Sequence, residues 1–415
     1  MSTKNYTNDL VVIGGGAAGM FAAITAAKQG LKVLLLEKTD RLGKKLAITG
    51  KGRCNVTNAC SADEVMKNIP RNGRFLYSSL FRFPPDRVMS FFEDAGCPLK
   101  VERGNRVFPV SDRSADILAA LNRELRKYSV QIRHEKVTGL LAREGELQGV
   151  KTEQGIISCA RALLATGGCS YPLTGSTGDG YAFARQLGHS VIEPCGSLVP
   201  MESDSDCHRI QGLSLRNTEL KLLDQKNKVV YKDFGELLFT HFGISGPMAL
   251  SASAHMKQGQ SYTVVLDLKP ALDEAKLDAR FLRDLEQYAN RSMENALADL
   301  YPASLIPVML DRCGIDPALK AHSLSRQQRR ILLETTKRFA IPIKGLRPVE
   351  EAIITRGGIN TKEVDPKTME SKLIRGLYFA GEILDCDAYT GGFNLQIAWS
   401  TAYAAAMSCA EGNFG

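Results

Sequence analysis

Leu10-Val11-Val12-Ile13 is an unbroken apolar run, β-branched at three of its four positions, the pattern of a short strand covered on both faces in a parallel sheet. An alanine-rich stretch follows as far as Gly30. Leu31-Lys32-Val33-Leu34-Leu35-Leu36 then forms a second apolar run ending at Glu37. Strand, helix and strand in that order predict the opening unit of an α/β domain. The far end of the chain carries the same signature: Leu377-Tyr378-Phe379-Ala380 reads as a buried strand, and an alanine-rich helix runs from Gly391-Gly392 to about Cys409. The middle differs. From 195 to 270 the period falls to two, as in Glu219-Leu220-Lys221-Leu222, in Lys228-Val229-Val230-Tyr231 beyond a polar turn at 224–227, and in 261–268. From 271 to 337 it lengthens to that of a helix, with Leu282, Leu285, Ala289, Met293, Ala296, Leu297 and Leu300 on one stripe. A β-rich unit with a helical excursion therefore interrupts an α/β domain, which resumes near Leu346.

Chemistry enters at the turn after the first strand. Gly14-Gly15-Gly16-Ala17-Ala18-Gly19 has G-x-G-x-x-G spacing between a strand and a helix. Gly14 makes the tight turn, Gly16 lets a diphosphate reach the backbone beside Ala18, and Gly19 lets helix and strand pack closely. The helix start offers free N–H groups and a partial positive charge to that diphosphate. Glu37, eighteen residues past Gly19, is placed to accept hydrogen bonds from a ribose diol. An acid there suits a free 2′-hydroxyl, hence FAD or NAD rather than NADP. At the other terminus, Gly381 and Glu382 form a turn after the buried strand. Asp385 beyond it is a candidate for a ribityl hydroxyl or the diphosphate. Gly391 and Gly392, with Phe393 and Asn394 at the helix start, present N–H groups and a positive helix end suited to a cofactor edge that gathers negative charge.

The motifs between these ends decide which dinucleotide is meant. Arg41-Leu42-Gly43-Lys44-Lys45, Thr49-Gly50-Lys51-Gly52-Arg53-Cys54-Asn55-Val56-Thr57-Asn58 and Ala165-Thr166-Gly167-Gly168-Cys169-Ser170-Tyr171-Pro172 come first in order. Gly178-Asp179-Gly180-Tyr181, Phe239-Thr240-His241-Phe242-Gly243-Ile244-Ser245-Gly246-Pro247 and Thr355-Arg356-Gly357-Gly358-Ile359 follow. With Thr390-Gly391-Gly392-Phe393-Asn394-Leu395-Gln396 they resemble the bacterial flavoprotein family of aminoacetone-oxidase-like and bile-acid-reductase-like proteins. The resemblance spans the chain and implies a discontinuous Rossmann-type FAD-binding domain, residues 1–192 and 346–415. It implies an insertion at 193–345, β-barrel-like over 193–270 and about 338–345 and a helical bundle over 271–337, that caps the flavin and forms much of the substrate pocket. The cofactor-side candidates it adds are Lys38, Lys44, Gly50, Gly52, Arg53, Cys54, Asn55, Thr166, Gly167 and Asp179. Cys54 has no second cysteine at short spacing, so a buried thiol is the reading preferred over a redox-active one. For acid–base chemistry the candidates are His241, set between glycine-flanked loops, then Tyr171 and Tyr389 beside glycine-rich turns.

Composition narrows the class without choosing a substrate. The chain has 415 residues, 44% hydrophobic and 24% charged, a globular balance that excludes disordered and fibrous classes. Ten cysteines, none spaced Cys-x-x-Cys, and six scattered histidines offer neither a disulfide framework nor a zinc site, so reduced thiols in a cytoplasm and no metal are expected. Leu10 to Ala27 is uncharged, but it holds four glycines and follows Asp9, which fits neither a signal peptide nor a membrane span. The net charge of +8 is uneven: residues 38–53 carry +5, residues 320–347 carry +7, and the remainder is mildly acidic. The first cluster faces either a cofactor or solvent. The second follows a helical stretch with Phe339 as its only aromatic ring, a solvated face rather than a single-strand nucleic-acid site.

The expected function is that of an FAD-dependent oxidoreductase acting on a small-molecule substrate. NAD(P)H-driven reduction of a conjugated C=C bond in a bulky, steroid-like or bile-acid-like compound comes first. No second glycine fingerprint holds a nicotinamide, so NADH or NADPH would be a transient donor. An O₂-dependent oxidase of a small amine such as aminoacetone is the alternative. A flavin-bearing RNA-binding or RNA-modifying protein is a more distant one.

Overall fold

A computed structural model describes residues 7–257 and 259–411. The chain forms two compact units, Met1–Ser197 with Val349–Gly415, and Leu198–Pro348. The first is built on a five-stranded sheet in the order Leu377–Phe379, Ala162–Leu164, Leu10–Ile13, Val33–Glu37, Gln131–His134. All four pairings are parallel, with Val11 opposite Ala162 and Leu34, and Leu163 opposite Tyr378. Every residue of Leu10–Ile13 is buried, as a strand covered on both faces requires. Helix Ala17–Lys28 packs against the carboxy-terminal helix Phe393–Glu411, so the two ends of the chain share one core. At the centre of that core, the Trp399 indole N–H donates to the Val56 carbonyl at 2.9 Å, and its ring meets Phe21 and Phe92 edge-on at 5.5 and 5.6 Å.

The second unit holds a seven-stranded sheet in which Ser214–Asp224 lies between Tyr262–Asp267 and Val229–Thr240, all antiparallel. Its two outermost strands, Phe339–Ile343 and Gly345–Leu346, are separated by one residue in the sequence. The chain crosses from one edge to the other through Lys344 alone, which rolls the sheet towards a barrel. Helices Glu274–Gln287, Met293–Ala296, Ile306–Arg312 and Arg326–Lys337 pack on it around one apolar core.

Three sequence expectations are corrected here. Strand Val191–Ser197 pairs with Ile354–Ile359, Cys195 opposite Arg356 and Ser197 opposite Ile354, so residues 193–197 belong to the first unit. Gly345–Leu346 pairs with Met201–Glu202 and keeps 346–348 in the second. The apolar stripe from Leu282 to Leu300 is not one helix face: the helix ends at Gln287, buries Leu277 and Phe281, and leaves Leu282 exposed. The +7 of residues 320–347 is largely matched by acids of the same unit. Arg329 pairs with Asp278, Lys337 with Asp267, Arg338 with Glu274, Lys344 with Asp204, Arg347 with Glu202 and Arg330 with Glu334.

One buried base in the first unit makes stability depend on pH. The His189 side chain is enclosed, its Nε2 lies 2.9 Å from Ser371 Oγ, and its ring stands edge-on to Phe379 at 5.0 Å. Burial pushes the imidazole below its ordinary value of 6.5, outweighing the pull of Glu363 at 3.3 Å. Between that lowered value and 6.5 the unfolded chain binds a proton that the folded chain does not. Stability is therefore full above pH 6.5 and declines as the pH falls towards the folded value. The Tm of wild type should drop more steeply below pH 6.5 than that of His189→Gln. Parallel curves would remove His189 as the cause.

Candidate functional site

The first unit contains a cleft of about 1380 Å³, counting the part open to solvent. It lies at the carboxyl ends of the parallel strands, where α/β sheets bind ligands. The turn after Leu10–Ile13 forms one wall. A Cβ on Gly19 would lie 1.8 Å from the Gly14 carbonyl oxygen, so this glycine is what lets helix Ala17–Lys28 close on the strand. A Cβ on Gly16 would meet nothing within 4 Å, so Gly16 faces open space in the cleft. Gly16 caps the helix without a side-chain hydrogen bond, and the first turn carries no acid, which leaves the helix start suited to an anion.

At the end of the second strand Glu37 is held from two sides. Its Oε2 accepts the Gly15 N–H at 2.8 Å and its Oε1 accepts the Thr39 N–H at 2.7 Å. Beside it Lys38 Nζ lies 2.7 Å from Asp179 Oδ2. Burial acts to raise the Asp179 carboxyl, but the contacts with Lys38 and Thr177 outweigh it and hold it below the usual range. Across the cleft Lys45 bridges distant segments, donating to Glu382 at 2.7 and 2.9 Å and to Ser170 at 2.6 Å. Glu382 also accepts the Thr355 N–H at 2.8 Å.

Twelve of the sequence candidates line this cleft: Gly14, Gly16, Ala18, Glu37, Lys38 and Lys44 on the amino-terminal side, Thr166, Gly167 and Asp179 from the middle, and Gly381, Glu382 and Asn394 from the carboxy-terminal side. The remaining cofactor candidates are not among the residues that line this cleft. Gly19 serves packing. Arg53 is taken up by Glu102 and Asp112, its Nε 2.8 Å from the Asp112 carboxylate, and its guanidinium lies 4.1 Å over the Phe108 ring. Cys54 is fully buried and burial pushes its thiol up, which favours the neutral thiol. Gly50, Gly52 and Asn55 stay outside the cleft with that loop, although Asn55 Oδ1 is buried without a protein partner. Asp385 accepts Asn72 Nδ2 at 2.9 Å, and burial raises its carboxyl. Gly391 and Gly392 sit against Thr57–Asn58: a Cβ on Gly392 would meet the Thr57 carbonyl oxygen at 2.3 Å. Phe393 points into the core.

Of the acid–base candidates, neither Tyr171 nor Tyr389 is among the residues lining the cleft. Tyr171 has a left-handed backbone and donates its N–H to Glu350, while the Tyr389 N–H reaches the Asn68 carbonyl. His241 lies in the second unit, exposed at the turn before Gly243–Ser245, its ring edge-on to Phe242 at 4.9 Å. Residues absent from the sequence list but lining the cleft include Gly15, Thr39, Lys45, Glu135 and Val137. Glu135 and Val137 arrive because Gln131–His134 pairs with the second strand, His134 opposite Glu37.

The residues fit a flavin dinucleotide. Thr166 Oγ1 is buried in the cleft wall with no hydrogen-bond partner in the protein, Gly16 presents an open face to the cleft, and the helix start beside it is uncapped. Residues 8–408 match the family described as the HI0933-like protein Rossmann domain. The chain belongs to this family. It is an FAD-dependent oxidoreductase. The 3-dehydro-bile acid delta(4,6)-reductase of Clostridium scindens is 31% identical over 97% of this chain and 99% of its own. The ribosomal RNA dihydrouridine synthase of Escherichia coli is 29% identical over 96% of this chain and 97% of its own. Among solved structures, the 3-ketosteroid delta1-dehydrogenase of Sterolibacterium denitrificans shares the fold at a TM-score of 0.51, with 13% identity over 98% of this chain and 100% of that one. Among the described residues no helix is long and apolar enough to cross a membrane, and no group of three or more acidic, histidine or cysteine side chains is arranged to hold a metal.

Proposed function

We propose that this protein uses NADH or NADPH to saturate a ring carbon–carbon double bond conjugated to a carbonyl. The observation that carries this reading is the end-to-end similarity to two relatives whose names both describe saturation of a ring double bond, one in a bile acid and one in a uridine of RNA. Bound in the cleft, FAD supplies the two-electron hydride chemistry that links donor and substrate. The chain's own residues hold it: the Gly14–Gly16 turn and the start of helix Ala17–Lys28 take the diphosphate, Glu37 takes the ribose diol, and Thr166 offers its hydroxyl to the dinucleotide. Lys45, Ser170 and Thr355 fix Glu382 at the opposite wall.

Two substrates compete within this class. A bulky steroid-like ring is favoured by the first of those relatives, the bile-acid reductase, which is 31% identical over 97% of this chain. An RNA uracil ring is favoured by a different observation, the exposed arginine-and-aromatic face of helix Gly73–Arg82.

The test begins with anaerobic addition of NADH or NADPH to the holoenzyme. The reduced enzyme is then mixed with a ring enone steroid or with unmodified ribosomal RNA, and products are read by mass for the gain of two hydrogens. Flavin bleaching by a nicotinamide and reoxidation by one of these substrates is the expected result. Bleaching by a small amine such as aminoacetone, with neither nicotinamide active, would establish the oxidase alternative instead.

A further inference from the structure

We propose that the outward face of helix Gly73–Arg82 is a docking surface for single-stranded RNA, an inference that rests on the RNA reading above. Residues 68–87 contain four arginines, Arg71, Arg74, Arg82 and Arg87, against a single acid, Asp86, and they contain four aromatic rings. The fold divides those rings. Phe83 is buried against Phe21 and Tyr403, and Phe75 packs on the core beside Leu76 and Leu80. Tyr77 and Phe81 turn outward, 55% and 41% exposed, and stack on each other with ring centres 4.4 Å apart and planes 28° from parallel.

The spacing places these groups on one stripe. Arg74, Tyr77 and Phe81 follow one another at three and four residues along the helix, so they share a face. Arg74 is exposed and pairs with no acid among the described residues. Arg87, just past the helix, is also exposed and donates to the Arg82 carbonyl at 3.1 Å. Two stacked rings on a convex helix offer flat apolar faces without a concavity, which suits stacking of bases rather than enclosure of a small molecule. Guanidinium groups beside them complement a polyanion and stack on bases as well. Bases in a duplex have no free faces, so the occupant is a strand with unpaired bases. The contrast with 320–347 is direct: there six of eight cations are matched by acids of the unit and only one ring is present.

The surface also leads to the cleft. Asn72, at the helix start, donates to the Asp385 carbonyl at 2.6 Å, and Arg71 pairs with buried Asp387. Between those two acids Cys386 lines the cleft wall. The start of the helix that carries Tyr77 and Phe81 is thereby tied to the segment that borders the cleft.

Fluorescence anisotropy of a short labelled oligouridylate against FAD-loaded protein tests this, at low and at moderate salt. Tyr77→Ala/Phe81→Ala should weaken binding about tenfold or more, the scale of one lost base stack. Arg74→Ala should weaken it and flatten the salt dependence. Both variants should keep wild-type rates of flavin reduction by NADH or NADPH, which reports an intact fold and cofactor site without RNA. If wild type binds and the double variant binds equally well, this surface is wrong while the RNA reading stands. If wild type binds no RNA at low salt, the RNA reading falls and takes this proposal with it. If the double variant keeps its RNA affinity but loses binding to phosphatidylglycerol vesicles, the face docks on lipid and the proposal is overturned.

Discussion

Gly16→Val should purify without FAD, yet unfold at the same temperature as wild-type apoprotein. At Gly16 the backbone is extended, with φ −80° and ψ −168°, a conformation any residue adopts. A side chain there meets no protein atom within 4 Å, so the fold does not resist it. The volume it fills is the volume a diphosphate needs against the helix start, and the dissociation constant for FAD should rise at least about a hundredfold, ~2.7 kcal/mol. Gly19→Ala, three residues away, is expected to do the reverse. Its Cβ would sit 1.8 Å from the Gly14 carbonyl oxygen, a backbone atom that moves only with the central strand. That overpacking should destabilise the apoprotein by at least the ~1–3 kcal/mol usual for a crowded core. Thermal unfolding of both apoproteins and FAD titration of both folded variants separate the two effects. Equal loss of Tm in the two variants would contradict the division of labour between these glycines.

The largest stability effect is expected at Trp399. Its ring is fully buried among Phe21 and Phe92, and its N–H satisfies the Val56 carbonyl. Trp399→Ala leaves both a large cavity and an unpaired carbonyl, costing ~3–5 kcal/mol. Trp399→Phe keeps most of the packing and loses the hydrogen bond, so it should cost markedly less, about 1–2 kcal/mol. Urea unfolding followed by circular dichroism is the measurement, because Trp399 is the chain's single tryptophan and its fluorescence disappears with it. A loss below about 1 kcal/mol for the alanine variant would mean that the two chain ends do not share a tightly packed core.

How much of this was legible in the sequence depended on the range of the interaction. The strand, the glycine turn and Glu37 lie within 28 residues, and their roles follow from local pattern alone. The carboxy-terminal half of the cleft was legible as motif, but not residue by residue. Gly392 is a glycine because it passes against the backbone at Thr57, a contact no local pattern announces. The pairing of Arg53 with Glu102 and Asp112 was hidden in the same way, because the hairpin of Leu99–Glu102 and Arg106–Pro109 pairs with Thr57–Asn58 and brings those acids to it. Glu135 and Val137 enter the site only through a parallel pairing about one hundred residues away in sequence. The basic tally misled in the same way, since partners of 320–347 such as Glu202 and Asp278 lie far outside the segment counted. Residues 68–87 held a smaller excess of charge but interleaved it with rings, and the ring count, rather than the charge, is what separates the two segments.

The cleft draws on Gly14 to Thr49 at one extreme of the chain and on Gly381 to Ala398 at the other. During synthesis the first strand and its glycine turn emerge before the inserted unit, but the strand Leu377–Phe379 and the helix that closes the core are made after it. The inserted unit, which has a core of its own, has all its residues available while its host still lacks an edge. The cleft is thus completed only after the inserted unit has been made, and a product that stalls before helix Phe393–Glu411 lacks the wall that Asn394, Leu395, Ile397 and Ala398 supply.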